Sequence, residues 1–196
     1  MARIIFVTHP DVVIDPAVPV PQWPLSELGR TRITAFAQKL SSEGLAAVWT
    51  SDERKALDGG EILSAALGIP HRVDAALGEN DRSSTGYLEA EAFWPVVQAF
   101  FAHPDESARG WETARHAQDR IVAAVNRAAH AQAGDIAIVS HGGVARLLTA
   151  HLHGVAIGQE DRPRNPNGGC FIVFEGAMPG LVSGWADIEA WGRPPF

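Results

Sequence analysis

Cysteine is nearly missing from this sequence: Cys170 is the only one, which excludes an internal disulfide and any metal site built from several thiolates. Long apolar runs are also missing, and no stretch approaches the length needed to cross a membrane. The apolar run that follows Met1 is too short for a signal peptide. We therefore expect a soluble cytoplasmic protein in which Cys170 is buried and unreactive.

Positive charge is scarce as well. The 196 residues include 16 Lys and Arg against 23 Asp and Glu, which gives a formal net charge of −7. This balance argues against a surface for nucleic acid or for an anionic membrane, so we expect neither as a partner. The glycines form neither a GxGxxG nor a GxxxxGK(S/T) pattern, which removes the usual basis for a dinucleotide or nucleotide site.

The chain does contain short β-branched runs that alternate with longer helical patterns. This alternation is typical of βα units around a mostly parallel sheet, and with no linker or repeat in sight we expect residues 1–196 to form one domain. Strands are predicted at 3–9, 45–50, 71–77 and 135–140, with a hairpin of 169–174 and 181–188 in the tail. The first helix is predicted from Ser26 to about Gly44, with one apolar face made of Leu28, Ile33, Phe36, Ala37 and Leu40. Further helices are predicted over 54–67, 89–102, 112–131 and 144–153.

Four polar side chains follow the carboxyl ends of predicted strands: His9, Arg54, Glu79 and His141. Ligands of open α/β sheets bind at this edge, so we expect the four side chains to lie together. They supply a nucleophile, donors for anionic oxygens and a proton donor, which is the set required for phosphoryl transfer. Each also has an ordinary structural interpretation, and Asp81 competes with Glu79 for the role of proton donor.

Several short segments resemble the histidine phosphatase superfamily, which has the phosphoglycerate mutase-like fold. They occur in the order of that family, at 5–10 (IFVTHP), 24–29 (PLSELG), 50–56 (TSDERKA), 77–80 (LGEN) and 139–143 (VSHGG), with a later match at 165–169 (NPNGG). The resemblance implies a three-layer α/β/α sandwich with a mostly parallel central sheet. It also implies a phosphohistidine mechanism that needs neither a metal nor an organic cofactor.

The resemblance assigns a role to each matching residue. His9 would attack phosphorus, and Glu79 would protonate the leaving oxygen and then activate water. Arg54 and His141 would bind phosphoryl oxygens, with the amides around Gly142 at the start of a helix. Two weaker candidates for phosphate contact are Thr8, which is otherwise an ordinary strand residue, and Asn167, which is otherwise a turn residue.

The family usually has Arg-His-Gly at the end of strand one, and this chain has Thr8-His9-Pro10. A neutral hydroxyl in place of a bidentate cation is a deficit of about 1.5–3 kcal/mol, or one to two powers of ten in rate. The candidates to replace the missing cation are Arg82, Arg146, Arg162 and Arg164.

The leading hypothesis is a phosphomonoester hydrolase that acts on a small phosphorylated metabolite and releases inorganic phosphate. A phosphoglycerate mutase-type phosphotransferase is one alternative, because it uses the same set of residues. A catalytically weakened phosphate-binding or regulatory protein is another, because of Thr8 and Pro10. A homodimer through the free edge of the tail hairpin is also left open.

Overall fold

The structure, a computed structural model, describes residues 2–131, 133–163, 165–176 and 183–192. Its strands are β1 (Arg3–Thr8), β2 (Ala47–Thr50), β3 (His71–Val73), β4 (Ile136–Ser140), β5 (Cys170–Glu175) and β6 (Ala186–Asp187). They form one sheet in the order β3-β2-β4-β1-β5-β6. The first four in this order are parallel to one another, while β5 and β6 are antiparallel to their neighbours.

Helices cover both faces of the sheet. They are α1 (Glu27–Lys39), α2 (Arg54–Leu67), α3 (Ala90–Ala102), α4 (Ala114–His130) and α5 (Gly142–His153). One core packs α1 and α2 against the sheet, and a second core packs α3, α4 and α5 against the opposite face. The expected three-layer sandwich with a mostly parallel sheet is confirmed.

Strand β1 shows why the sheet needs cover on both sides. Ile4 and Phe6 are fully buried in the core of α3 to α5, while Ile5 and Val7 are fully buried in the core of α1 and α2. Successive side chains of a strand point to opposite faces, so a continuous apolar run places apolar groups on both. This run fixes β1 in the middle of the sheet.

Three local predictions were wrong. Leu28 was expected in the core, but its position on α1 faces outward and leaves it 59% exposed. The strand predicted over 71–77 ends after three residues, because the Asp74 side chain accepts the Ala76 N–H and starts a 3-10 turn. The second strand of the tail is only Ala186–Asp187, because Ile188 enters another 3-10 turn; residues 181–182 of that prediction lie outside the described residues.

Other predictions hold. Ser26 caps α1, since its side chain accepts the Gly29 N–H at 3.1 Å. Cys170 is buried, and burial raises the pKa of its thiol to about 12. Within the described residues, no helix is both long enough and apolar enough to cross a membrane.

A buried carboxylate joins α1 to α2. Asp58 is fully buried, and its Oδ2 accepts the Leu25 N–H at 3.0 Å and lies 2.7 Å from Nη2 of Arg30. Its Oδ1 lies 2.6 Å from Nη2 of Arg54. The carboxylate therefore satisfies a backbone donor and two guanidinium groups from different elements.

We predict that Asp58→Ala lowers the free energy of unfolding by about 2–4 kcal/mol, because it removes the acceptor of a buried N–H and the partner of two cations. Asp119→Ala, a change at an exposed position of α4, is the control and should cost less than about 0.5 kcal/mol. Urea unfolding of both variants measures the difference. Equal losses would contradict the role of Asp58.

Candidate active site

His9 and His141 are neighbours because their strands are neighbours. Thr8 of β1 pairs in register with Ser140 of β4, so the next residue of each strand leaves the sheet at the same level. The His9 N–H donates to Ser140 O at 2.9 Å, one step beyond the ladder. The two imidazoles meet edge to face with their centroids 5.2 Å apart. The structure thus brings the expected histidine pair together.

The ring of His9 is oriented by its own loop. Its Nδ1 lies 3.0 Å from Pro10 O, and because a carbonyl only accepts, Nδ1 carries the hydrogen and Nε2 has a free lone pair. Burial, the positive charge of Lys55 and that of Arg82 lower the pKa of His9 to about 4. The ring of His9 is therefore neutral at pH 7.

His141, the other imidazole of the pair, is fully buried. Its Nε2 lies 2.8 Å from Ser51 Oγ and 3.4 Å from Glu53 Oε1. Its Nδ1 is buried and has no hydrogen-bond partner among the described residues. Burial lowers the pKa of His141 well below its ordinary value, although Glu53 acts in the opposite direction. A ligand bound beside His9 would give Nδ1 of His141 a hydrogen-bond partner.

The cation next to His9 is Lys55, and the assignment of this role to Arg54 needs correction. Arg54 is 49% exposed and pairs with Asp58, as described above. Lys55 is only 4% exposed, and its ammonium donates to Val20 O and pairs with Glu53. The two positions differ by 100° around α2, so only one of them faces inward. Helical spacing from the buried Ala56 would have identified Lys55 as the side chain that faces inward.

Glu53 links the lysine to the buried histidine. Its carboxylate pairs with Lys55, lies near His141 and accepts the Glu79 N–H at 2.9 Å. Burial alone would raise the pKa of Glu53, but His141, Lys55 and this hydrogen bond outweigh burial and lower the pKa to about 2. Glu53 is thus an anion that offsets part of the positive charge beside His9. Sequence reasoning missed both Glu53 and Ser51.

Glu79 lies at the N-terminus of α5. Its carboxylate oxygens accept the Gly143 and Val144 N–H groups, each at 2.9 Å. A Cβ atom on Gly143 would lie 2.5 Å from Glu79 Oε1, so the glycine permits this approach. The helix amides expected to face a phosphate are therefore bonded to Glu79 in this structure. Gly142 itself lines the cavity described below.

The segment around Glu79 is fixed from behind by α4. Arg120 donates to the carbonyl oxygens of Ala76, Gly78 and Glu79, and it pairs with Glu112 at 2.7 Å. Asp81, the competitor of Glu79, is exposed and accepts the Ser83 N–H, and it does not line the cavity beside His9. Of the two carboxylates, the structure brings Glu79 to the histidines.

A cavity of about 580 Å³ opens beside His9 and Glu79. Three of the candidate arginines line it. Arg146 pairs with Glu160 at 2.6 Å, whereas Arg82 and Arg162 have no ion pair within the described ranges. The fourth candidate, Arg164, lies outside the described residues. Asn80 also lines the cavity, and its Nδ2 is buried with no hydrogen-bond partner in the part of the chain described.

The two remaining candidates, Thr8 and Asn167, lie in segments that pack around the backbone of His9. The Thr8 hydroxyl accepts the Cys170 N–H at 3.0 Å and donates to Cys170 O at 3.4 Å, so both of its hydrogen bonds serve the β1–β5 pairing. Asn167 is exposed at the rim of the cavity. Its neighbour Gly168 has φ +70° and packs so closely that a Cβ there would lie 2.1 Å from His9 O. The NPNGG segment therefore covers the backbone of the histidine.

The arrangement can now be compared with known proteins. A family profile described as the histidine phosphatase superfamily (branch 1) matches residues 19–181. The chain belongs to the histidine phosphatase superfamily. No curated protein matches its sequence. Within the described residues of this family member, no group of three His, Cys, Asp or Glu side chains is arranged to hold a metal ion.

Solved structures of similar fold agree with this family. Bacillus stearothermophilus YhfR has a TM-score of 0.76 and 20% sequence identity, and the match covers 92% of this chain and 95% of that one. Mycobacterial glucosyl-3-phosphoglycerate phosphatase in complex with VO3 has a TM-score of 0.77 and 21% identity, with 95% and 100% covered. At these identities the likeness establishes the shared phosphoglycerate mutase-like fold.

We predict that the imidazole of His9 titrates near 4 in an NMR titration of its ring carbons, and that Lys55→Met raises this pKa toward the ordinary 6.5. The substitution removes a cation and frees the Glu53 carboxylate, and both changes favour the protonated ring. Lys39→Met, at the only other lysine, is the control and should leave the titration unchanged. An unshifted His9 pKa in Lys55→Met would contradict the role of Lys55 and leave burial and Arg82 as the groups that lower the pKa.

Proposed function

We propose that this chain is a phosphomonoester hydrolase that forms a phosphohistidine at His9 and acts on a small phosphorylated metabolite. The observation that carries the proposal is the state of His9: a neutral ring with Nδ1 tied to Pro10 O and a free Nε2, beside a cavity with unpaired donors and cations. The phosphatase named among the similar folds supports the same chemistry.

The reaction has two displacements. The Nε2 lone pair of His9 attacks phosphorus, the bond from phosphorus to the leaving oxygen breaks, and protonated Glu79 gives its proton to that oxygen. Water then attacks the phosphohistidine, the Glu79 carboxylate takes a proton from the water, and the N–P bond breaks to release inorganic phosphate. The hydrogen bonds from Gly143 and Val144 hold the carboxyl group of Glu79 in position at the cavity.

Binding of the phosphoryl group draws on groups other than the missing arginine. In the tautomer where Ser51 donates to Nε2 of His141, the unpaired Nδ1–H of His141 is a donor beside His9. The unpaired amide of Asn80 and the guanidinium of Arg82 come from the segment that carries Glu79. A bound anion would satisfy both buried nitrogens, which is a gain that an ordinary surface site lacks.

We predict that His9→Ala lowers the turnover of phenyl phosphate by at least about a thousandfold and removes the acid-labile phosphoryl label that the protein acquires from its substrate. His103→Ala, at an exposed position after α3, is the matched control and should keep both properties. Transfer between the positions of phosphoglycerate would favour the mutase alternative. Binding of inorganic phosphate with no turnover and no label would overturn the hydrolase and leave a phosphate-binding protein.

We further predict that Arg82→Ala lowers kcat/KM about 10- to 100-fold, which corresponds to the loss of one charged hydrogen bond in the transition state. Arg82→Lys, which retains the charge without the bidentate geometry, should lose less. Arg72→Ala is the control, because Arg72 stacks on Trp49 at the far edge of the sheet. Steady-state kinetics on phenyl phosphate measures all three variants, and an unaffected Arg82→Ala would exclude Arg82 as the replacement cation.

A further inference from the structure

One wall of the cavity beside His9 is built from a single helix. Five apolar side chains of α3 line it, and their spacing places them on one face of the helix: Phe93, Trp94, Val97, Phe100 and Phe101. Phe100 and Phe101 are nearly fully buried, so their outer surfaces belong to the core and their remaining surface belongs to the cavity. The wall is therefore apolar, and its Phe100 and Phe101 are anchored in the core.

Further apolar side chains line the chamber outside α3. Trp111 closes it beside α3, with its ring centroid 5.9 Å from that of Phe93, and Val12 and Ile14 line it from the loop that follows His9. Trp94 and Ile14 are each 59% exposed, which is unusual for side chains of this size in a protein with two full cores. Water against these apolar side chains finds few hydrogen-bond partners.

Polar groups also line the chamber, both at the end that holds His9 and beside the α3 wall, where Arg146 and Arg162 lie. Arg82 lies near His9, with its Cζ 5.2 Å from the centre of the Phe93 ring. Arg146 is stacked on Phe101 and donates from Nε and Nη2 to Glu160. A leaving group rich in hydroxyls would lose its hydration against the α3 wall and gain little in return.

We propose that this chamber binds the leaving group of the substrate, and that the leaving group is a large apolar or aromatic alcohol. The inference rests on the proposed function and deepens it, since it names the class of phosphomonoester. Hydrolysis places the phosphoryl group against His9 and the released alcohol against the α3 wall. The driving force for substrate choice is the burial of apolar surface.

Alkyl phosphates test this inference with leaving groups of similar acidity. We expect kcat/KM to rise about fourfold for each added methylene from ethyl through butyl to hexyl phosphate, or on the order of 100-fold across the series. Glycerol 3-phosphate should be no better than ethyl phosphate. A flat series, or a preference for glycerol 3-phosphate or a sugar phosphate, would overturn the proposal.

Variants in the wall locate the effect. Trp94→Ala should lower the ratio of kcat/KM for hexyl phosphate to that for ethyl phosphate by about tenfold, and Val97→Ala should lower it by a smaller factor. Leu28→Ala is the matched control, because Leu28 is equally exposed but lies on α1, across the sheet. An unchanged ratio in both wall variants would show that the selectivity arises elsewhere and would overturn the assignment to α3.

A binding measurement separates failure of this inference from failure of the proposed function. Calorimetry with ethylphosphonate and hexylphosphonate, which cannot be hydrolysed, reports on the chamber alone. Tighter binding of hexylphosphonate without turnover of any ester would retain the apolar chamber and reject the hydrolase. Turnover combined with equal binding of the two phosphonates would retain the hydrolase and reject the chamber.

Discussion

The parallel pairing of β1 with β4 is the constraint on which the site depends. Because Thr8 lies opposite Ser140, His9 and His141 leave the sheet side by side, and the hydrogen bond from His9 N to Ser140 O extends the ladder to hold them there. A slip of one residue would separate the two rings and exchange the side chains that β1 presents to the two cores. The same burial that stabilises the sandwich therefore also sets the distance between the histidines.

Around that pair the chain balances its charges without the usual arginine. Lys55 brings one buried cation close to His9, and Glu53 offsets it while it also contacts His141. The result is an uncharged His9 in surroundings that are nearly neutral before a substrate arrives. Arg82 adds the next positive charge from the opposite side, on the segment that carries Glu79.

The fold and the histidines were predictable from the sequence because both follow from local patterns. An apolar run ended by a histidine predicts a buried strand and a polar group at its carboxyl end. Side-chain direction was harder to predict, since Arg54 and Lys55 are adjacent and only the phase of α2 decides which one faces His9. The contacts of Thr8 and Glu79 were harder still to predict, because their partners are distant in sequence. Thr8 bonds to the Cys170 backbone and Glu79 to the amides of α5, and these groups come together only in the folded chain.

The central position of β1 has a consequence for the order in which the protein is made. The strand that ends beside His9 is synthesised before both of its partner strands, and the first of these follows Asp135, a residue 132 positions after Arg3. Its other neighbour, β5, and the glycine that covers His9 O come later still. A nascent chain therefore carries a mainly apolar, unpaired strand until β4 has been made, which slows folding and favours chaperone binding. A chain released before Gly168 has no finished site at all.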